Sequence, residues 1–434
     1  MRRAGLIFAA MSLAGAAQAQ PAANAPPPAA AAAPSCKLTL QQANVWTGTA
    51  FERRDVHIDG ATLTASAPQG AVPFPAQWMF LIPPLVDTHN HGPDQPAAAN
   101  DPIHRALLDQ GIFYVLNPNN IRRDTPGVPF GPDQVEAIYS GGGITGMGGH
   151  PRPLYEMLAG MARMQGREMG TLPGRAFHEV STEAEARAAV ERVQAQGSSV
   201  VKLYLLDHED AAHKGLSPAL FRAAAAHAVR RGMRPIVHIE TAADFRLAAG
   251  TPGVALIVHI PGTVPRKPED ATYLISAEDA ALAARNNVSV STTVSVAFNH
   301  YTGEQLARAQ RVHAHNLRAL RDANVNLTAG ADRPGASAVE ELNLLRATTL
   351  FDGTQLLNIA TRNGLKLLYP DRRIGTFEPG SEASFLIMFA DPRDNWFWID
   401  EALAGLRAGR VIFDRAGFVR GICEGMAATG APTQ

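Results

Sequence analysis

Apolar and polar positions change their period twice along the chain. From residue 37 the runs KLTLQQANVWTG and RRDVHIDGATLTAS alternate with period two and break at glycines, the pattern of short strands with one buried face. The same pattern returns near the C-terminus in IGTFEPGSEASFLIMF and AGRVIFDRAGFVRGIC. Between them, short apolar runs (GIFYVLN, VVKLYLL, PIVHIE, ALIVHI, VSVSTTV, VNLTAGAD) read as strands. They take turns with Ala-rich segments such as EAEARAAVERVQAQG, SPALFRAAAAHAVRRG, AEDAALAARNN and AQRVHAHNLRALRDAN, which read as helices with one apolar face. Alternating strands and helices predict a parallel sheet. From the strand at 85 to the strand at 326 is about the span of seven βα units in an eightfold barrel of roughly 250 residues. The predicted fold is therefore α/β: a (β/α)8 TIM barrel over residues 83–370, with a small β-sandwich domain built from both chain ends, residues 37–82 and 371–425, and a tail at 426–434.

The first 36 residues stand outside this pattern. Arg2 and Arg3 precede the apolar run Gly5–Ala14, and Ala17-Gln18-Ala19 supplies an A-x-A cleavage site, so residues 1–19 read as a secretory signal peptide. Residues 20–36, mostly Ala, Pro, Asn and Gln, read as a disordered linker. The apolar run is too short to span a bilayer, and no later segment looks transmembrane. The expectation is an exported protein, periplasmic or secreted, without membrane insertion. With 39 basic and 40 acidic residues, the chain offers no electrostatic case for nucleic acid. Its two cysteines, Cys36 and Cys423, bracket the strands assigned to the β domain. In an oxidising compartment they are expected to form a disulfide clipping the chain ends together, with two unpaired thiols as the alternative.

Side chains at the C-terminal ends of barrel strands converge on one mouth. The apolar run LIPPLVDTHNHGPD ends in His89 and His91, which on a strand point the same way and can chelate one ion. Lys202 lies within SSVVKLYLL, His238 within RPIVHIE, His259 within ALIVHIPG, and Asp332 ends NLTAGAD. At about 35 residues per unit these fall on the fourth, fifth, sixth and eighth strands. His313 and His315 share the i, i+2 spacing of the first pair but lie on a predicted helix, where such positions diverge, so they read as surface or packing residues. A lysine inside an apolar strand is costly unless paired or modified. The simple alternative is an ion pair with Asp207 or Glu240. Asp87 is a candidate to orient a metal-bound histidine, and Tyr204 shares a strand face with Lys202. His208 and His300 lie near strand ends and read by default as loop residues.

The order His-x-His, Lys, His, His, Asp on strands one, four, five, six and eight resembles the amidohydrolase superfamily, in its binuclear, carboxylated-lysine branch. PPLVDTHNHG is similar to that family's first-strand motif. EAEARAAVERVQAQGSSVVKLYL resembles the helix and fourth strand of its imidazolonepropionase-like and prolidase-like members. GGGITGMGGHP resembles a Gly-Gly-His segment near their active site, which nominates His150. The resemblance implies that His89, His91 and Asp332 hold one metal, that His238 and His259 hold the other, and that Lys202, carrying a CO2-derived carbamate, bridges both. Two divalent ions are implied, and zinc suits such imidazole and carboxylate ligands. Asp332 would shuttle the proton, and Tyr204 or His150 would hydrogen-bond the substrate oxygen. The sequence departs from the pattern at Val258-His259-Ile260-Pro261, at Arg333 after Asp332, and at Ser384.

The functional expectation is a hydrolase of an amide-type bond in a small molecule, a peptide or an N-acyl amino acid. A lactonase or esterase on the same fold stays open, because water and metals do not choose the bond. A mononuclear deaminase would place a glutamate three residues after His238, where Thr241 stands. A non-catalytic exported binding protein would have no need of the intact ligand set. A homo-oligomer is also left open.

Overall fold

The computed structural model describes residues 36–93, 101–120, 131, 133–160, 172–210, 212, 214–333, 335–396 and 399–428. The signal peptide and nearly all of the linker expected from the sequence lie outside the described residues, as does most of the C-terminal tail.

The period-two runs form the β domain. Strands Lys37–Trp46, Phe51–Asp59 and Thr62–Thr64 pair antiparallel, and Phe80–Ile82 joins them to the returning C-terminal strands Phe385–Met388, Ala404–Arg407 and Arg410–Asp414. All eight strands of the domain, with Val72–Pro75 off the main path, belong to one hydrogen-bonded sheet. Phe385 and Ile387 face the domain's own core of Leu38, Leu40, Val45 and Ile58, while Leu386 and Met388 pack into the barrel cluster. One strand thus serves two cores because its side chains alternate across the sheet.

The apolar runs in between form a closed ring of eight parallel staves. In ring order they are Leu85–Asp87, Ile112–Asn117, a third stave in two pieces, Val200–Tyr204, Arg234–His238, Leu256–Val258, Ser289–Ser291 and Leu327–Thr328. The third stave is Glu136–Tyr139, continued by Gly143–Thr145 after Ser140-Gly141-Gly142; its halves pair with the second and fourth staves respectively. A short extra strand, Phe177–Glu179, also pairs with Gly143–Thr145. Closure runs from Thr88 N–H to the Ala329 carbonyl, 2.9 Å. Lys202, His238, His259 and Asp332 fall on or just beyond staves four, five, six and eight.

Local chemistry sets the helices between the staves. Thr182 caps Glu183–Ala195 in a reciprocal box with Glu185, and Ser276 caps Ala277–Arg285 with Asp279. Ser217 caps Pro218–Arg230, with proline at the first position where no N–H is missed. Beyond these helices and the long helix Gly303–Asp322, the chain turns back to the sheet through Gly197, Gly232, Asn287 and Asn324, all at positive φ, which only glycine and asparagine adopt readily. His313 and His315 lie on that long helix, bonded to the Gly262 and Ile275 carbonyls at 2.9 and 3.1 Å, in packing roles as read.

Cys36 and Cys423, separated by 387 positions in sequence, are joined by a disulfide with Cα atoms 4.7 Å apart. Cys423 sits on a helix, Phe418–Ala428, where the sequence reading had only the end of a strand region. This bond closes nearly the whole chain into one loop. Its loss through Cys423→Ser, or reduction of the wild type, is expected to lower the unfolding free energy by about 2–5 kcal/mol. Urea denaturation with and without reductant measures this, and superimposed curves would contradict it.

Candidate active site

The ring holds a buried polar layer just beneath its mouth. Thr88 Oγ1 lies 2.9 Å from Ser291 Oγ, 2.8 Å from Thr328 Oγ1 and 2.9 Å from the Ala329 carbonyl. Beside it in sequence, Asp87 is fully buried and accepts from four donors: His89 N–H at 3.1 Å, Ala331 N–H at 3.3 Å, Ala338 N–H at 2.9 Å and the Asn90 amide at 2.8 Å. Burial pushes its carboxyl up to about 6 against the pull of these bonds. This corrects the expectation that Asp87 orients an imidazole ring. Among the described residues it hydrogen-bonds no ring; it holds the backbone of the first strand end against that of the eighth.

The first regular stave stops at Asp87, so His89 and His91 lie just past the ladder, yet their rings still converge. His89 Nε2 is 3.3 Å from His91 Nε2 and 3.1 Å from Asp332 Oδ1; His91 Nε2 is 3.2 Å from the same oxygen. His259 Nε2 approaches the other oxygen at 3.6 Å. The His259 ring lies 4.6 Å from that of His238, and the His238 ring lies 5.5 Å from His150 and 5.3 Å from Tyr204. Lys202 Nζ sits 5.3 Å from the Tyr204 ring centre.

Second partners fix the rings. His91 Nδ1 is 3.2 Å from the Asn119 carbonyl, which can only accept, so a neutral His91 carries its proton there and turns a lone pair inward at Nε2. His259 Nδ1 lies 2.7 Å from Thr293 Oγ1. His89 Nδ1 is buried without a hydrogen-bond partner among the described residues. Three potential ligand atoms thus meet at 3.1–3.3 Å. Ligands about 2.0–2.1 Å from a tetrahedral cation stand roughly 3.3 Å from one another, so the spacing fits a shared metal ion. His89, His259 and Asp332 also stand together as a possible metal-holding group.

Electrostatics follow from burial. Burial pushes the Asp332 carboxyl up, but the His89, His91 and His259 rings outweigh this and hold it well below the usual carboxylate range. Burial lowers the Lys202 amine to about 7. Neither acid considered as its partner is engaged with it: Asp207 pairs with Lys267, and Glu240 lies 3.8 Å from Arg266 and 4.0 Å from His238. His208 bonds Asp244 at 2.7 Å and stays out of the cavity lining, whereas His300 joins it. Thr241 caps the following helix, its Oγ1 accepting from Asp244 N–H, so the position a deaminase would use for its acid carries none.

All of these ligand candidates line one cavity of about 930 Å³, together with Tyr204 and His150. Sequence reasoning missed Asn119, whose Oδ1 accepts from Gly143 N–H at 2.7 Å and from Tyr204 O–H at 3.3 Å while its carbonyl orients His91. The cue was present, since Asn117, Asn119 and Asn120 crowd the second strand's end. It also missed Thr293 and the buried Glu341, which accepts from Thr292 O–H at 2.5 Å and from Val294 and Ser295 N–H, both at 2.8 Å. His259, Thr293 and Asp332 all have positive φ, an uncommon state for such residues that clusters at functional sites.

Comparison with known proteins now decides the family. The amidohydrolase family matches residues 80–412. The chain belongs to the amidohydrolase family. It is thus a metal-dependent hydrolase of carbon–nitrogen bonds. No curated protein sequence matches it. Among solved structures, a Xaa-Pro dipeptidase with methionine in its active site is similar at 16% identity over 86% of this chain and 99% of that one, with a TM-score of 0.65. The ochratoxinase of A. niger is similar at 16% identity over 88% and 96%, TM-score 0.67. Phenylurea hydrolase B is similar at 15% identity over 88% and 97%, TM-score 0.62. At such identities the likeness is one of fold: the amidohydrolase barrel with its β domain.

Two outcomes follow for this amidohydrolase. A Cβ at Gly330 would stand 2.5 Å from His89 Cβ and 2.5 Å from Ser291 Oγ. Gly330→Ala is expected to displace His89 and to cut retained metal and activity by about tenfold or more while the melting temperature falls only a few degrees; elemental analysis beside a thermal melt checks it. The second is acid sensitivity without metal. Burial holds His89, His150, His178 and His313 down to about 4, and holds His238 and His259 well below the usual imidazole range. Native rings stay neutral where unfolded ones, near 6.5, take up protons, so stability present above pH 6.5 is lost as pH falls towards 4. Asp87 and Glu341, raised by burial to about 6 and 7, pull the other way but are fewer. Circular dichroism in chelator should show unfolding within that window; equal stability at pH 4.5 and 7 would refute the reading.

Proposed function

We propose that this amidohydrolase hydrolyses an amide-type bond in a peptide or an N-acyl amino acid, using water activated at a two-metal centre. The observation that carries the reading is the convergence of His89 Nε2, His91 Nε2 and Asp332 Oδ1 at 3.1–3.3 Å, the spacing of ligands around one cation. His89, His91 and Asp332 would hold one ion, His238 and His259 the other. Bound divalent ions, zinc being suited to these ligands, lower the pKa of water and polarise the bond under attack.

The chain's own residues then have defined tasks. Asp332, ionised in the folded state, accepts the water's proton and returns it to the leaving nitrogen. Lys202 lies on an apolar strand where burial favours its unprotonated amine, the form that adds CO2. The carbamate formed with loss of one proton would offer two oxygens sharing one negative charge as ligands to the ions. Of the two candidates for binding the substrate carbonyl, Tyr204 already gives its O–H to Asn119, which favours His150 as the donor. Export is part of the same proposal, supported by the disulfide, since such bonds persist in oxidising compartments.

Asp332→Asn is expected to retain much of the metal yet lose turnover by about 10²-fold or more, the scale of a missing general base. Lys202→Ala is expected to lose activity and regain part of it in acetate or propionate, whose carboxylate fills the gap. Metal analysis and amide hydrolysis on the same samples decide both. Near-normal turnover by Asp332→Asn would remove its assigned role.

A further inference from the structure

The chain is held on either side of His150 by a single carboxylate. Strand Phe177–Glu179 pairs with Gly143–Thr145, with Glu179 opposite Thr145, where the Gly-rich turn begins. This register sets Glu179 beside the turn. Its Oε1 accepts from Gly148 N–H at 2.7 Å, and Arg152 Nη1 donates to its two oxygens at 3.2 and 3.0 Å. The grip therefore falls two residues before His150 and two residues after it. The Glu179 side chain is only 11% exposed, which sets these bonds apart from the solvated pair that Arg152 also makes with Glu156.

The turn also lies directly on the chain beyond the fourth stave. A Cβ at Gly149 would stand 2.2 Å from the Lys214 carbonyl oxygen, and one at Gly146 would stand 2.3 Å from that of Gly215. Only glycine lets two backbones come this close. Leu216 N–H, next along, donates to the Tyr204 carbonyl at 2.9 Å. The His150 ring then lies stacked on His238 at an interplanar angle of 20°, with its centre 5.3 Å from that of Tyr204. Stacked rings tolerate an offset, so the aim of the imidazole N–H depends on where the turn is held.

We propose that Glu179 is a positioning residue: by clasping Gly148 and Arg152 it seats the turn on residues 214–215 and aims His150 at the carbonyl oxygen of the substrate. This rests on the reading of His150 as the group that binds that oxygen. Glu179 is not among the residues lining the cavity, so it acts through His150 and touches neither the substrate nor the converging ligand atoms. A donor to an oxygen that gains charge as water attacks counts most when it already points there. Displacing it by about 1 Å costs up to about 10²-fold in rate. The loss falls on kcat, because the bond strengthens in the transition state.

The test is a double-mutant cycle on the zinc-loaded full-length enzyme, with N-acetyl-leucine and leucyl-proline as substrates and leucine release as the signal. Glu179→Ala is expected to lower kcat by about tenfold or more, with KM and zinc content near wild type. In a His150→Ala background the same change should cost less than about twofold. Glu179→Gln keeps an acceptor for Gly148 N–H and should recover most of the loss. Hydrogen exchange followed by mass spectrometry over residues 146–152 should quicken in Glu179→Ala and stay slow in Glu179→Gln. Should Glu179→Ala fail to fold, Arg152→Met, at a side chain 40% exposed, takes its place in the cycle with an expected loss of about threefold or more. Equal losses in the two backgrounds, or exchange unchanged in Glu179→Ala, overturn the clasp and leave the role of His150 standing. Near-wild-type kcat in His150→Ala removes that role and the proposal with it. If neither substrate is cleaved, the amide-hydrolase reading fails for them and exchange alone decides: quickened exchange in Glu179→Ala sustains the clasp, and unchanged exchange overturns it.

Discussion

Everything at the mouth depends on the seam between the first and eighth staves. These strands are about 240 residues apart in sequence, as the Thr88–Thr328 contact shows. The seam is held chiefly by one buried carboxylate. Asp87 gathers the backbone N–H groups of His89, Ala331 and Ala338, and so fixes both segments that carry the converging donors. A buried acid is a poor source of stability unless its lone pairs are used, and here four donors use them. Thr88, Ser291 and Thr328 extend the same device inward, so the layer under the site is hydrogen-bonded rather than greasy.

The seam also accounts for the strain beside it. His259, Thr293 and Asp332 hold a positive φ that costs a side-chain-bearing residue about 1–2 kcal/mol. Their neighbours determine these conformations: Glu341 fastens residues 292–295 from below, Ser295 O–H donates to the Ala331 carbonyl at 3.0 Å, and Asp332 N–H donates to the His89 carbonyl at 2.8 Å. The rings and the carboxylate are thus aimed by backbone placement.

How much of this could be read from the residues differs by kind. The convergence of the ligand candidates was legible because the histidines and Asp332 close apolar runs and Lys202 interrupts one, and the parallel barrel turns that one-dimensional cue into a shared mouth. The third stave was not, since Ser140-Gly141-Gly142 breaks the apolar signal where the strand pauses. Asp87 was noticed for its place beside the histidines but assigned to a ring, because sequence spacing cannot tell whether a carboxylate turns to a side chain or to a distant backbone. Thr293 and Glu341 act on neighbours 34 and 49 residues away, His259 and Thr292, and such partnerships follow from ring order rather than spacing. The C-terminal helix was hidden because GFVRGIC reads equally well as the end of a strand region.

The bond between Cys36 and Cys423 has a consequence for what cleavage can do. A protease finds its openings in exposed surface turns, and those of the described residues lie almost entirely between these two cysteines. A single cut there leaves one covalent molecule instead of two fragments. The severed halves stay at high local concentration, and re-docking is a unimolecular event. The amidohydrolase barrel is therefore a segment tied at both ends, and parting it requires either two cuts or one cut and a reductant.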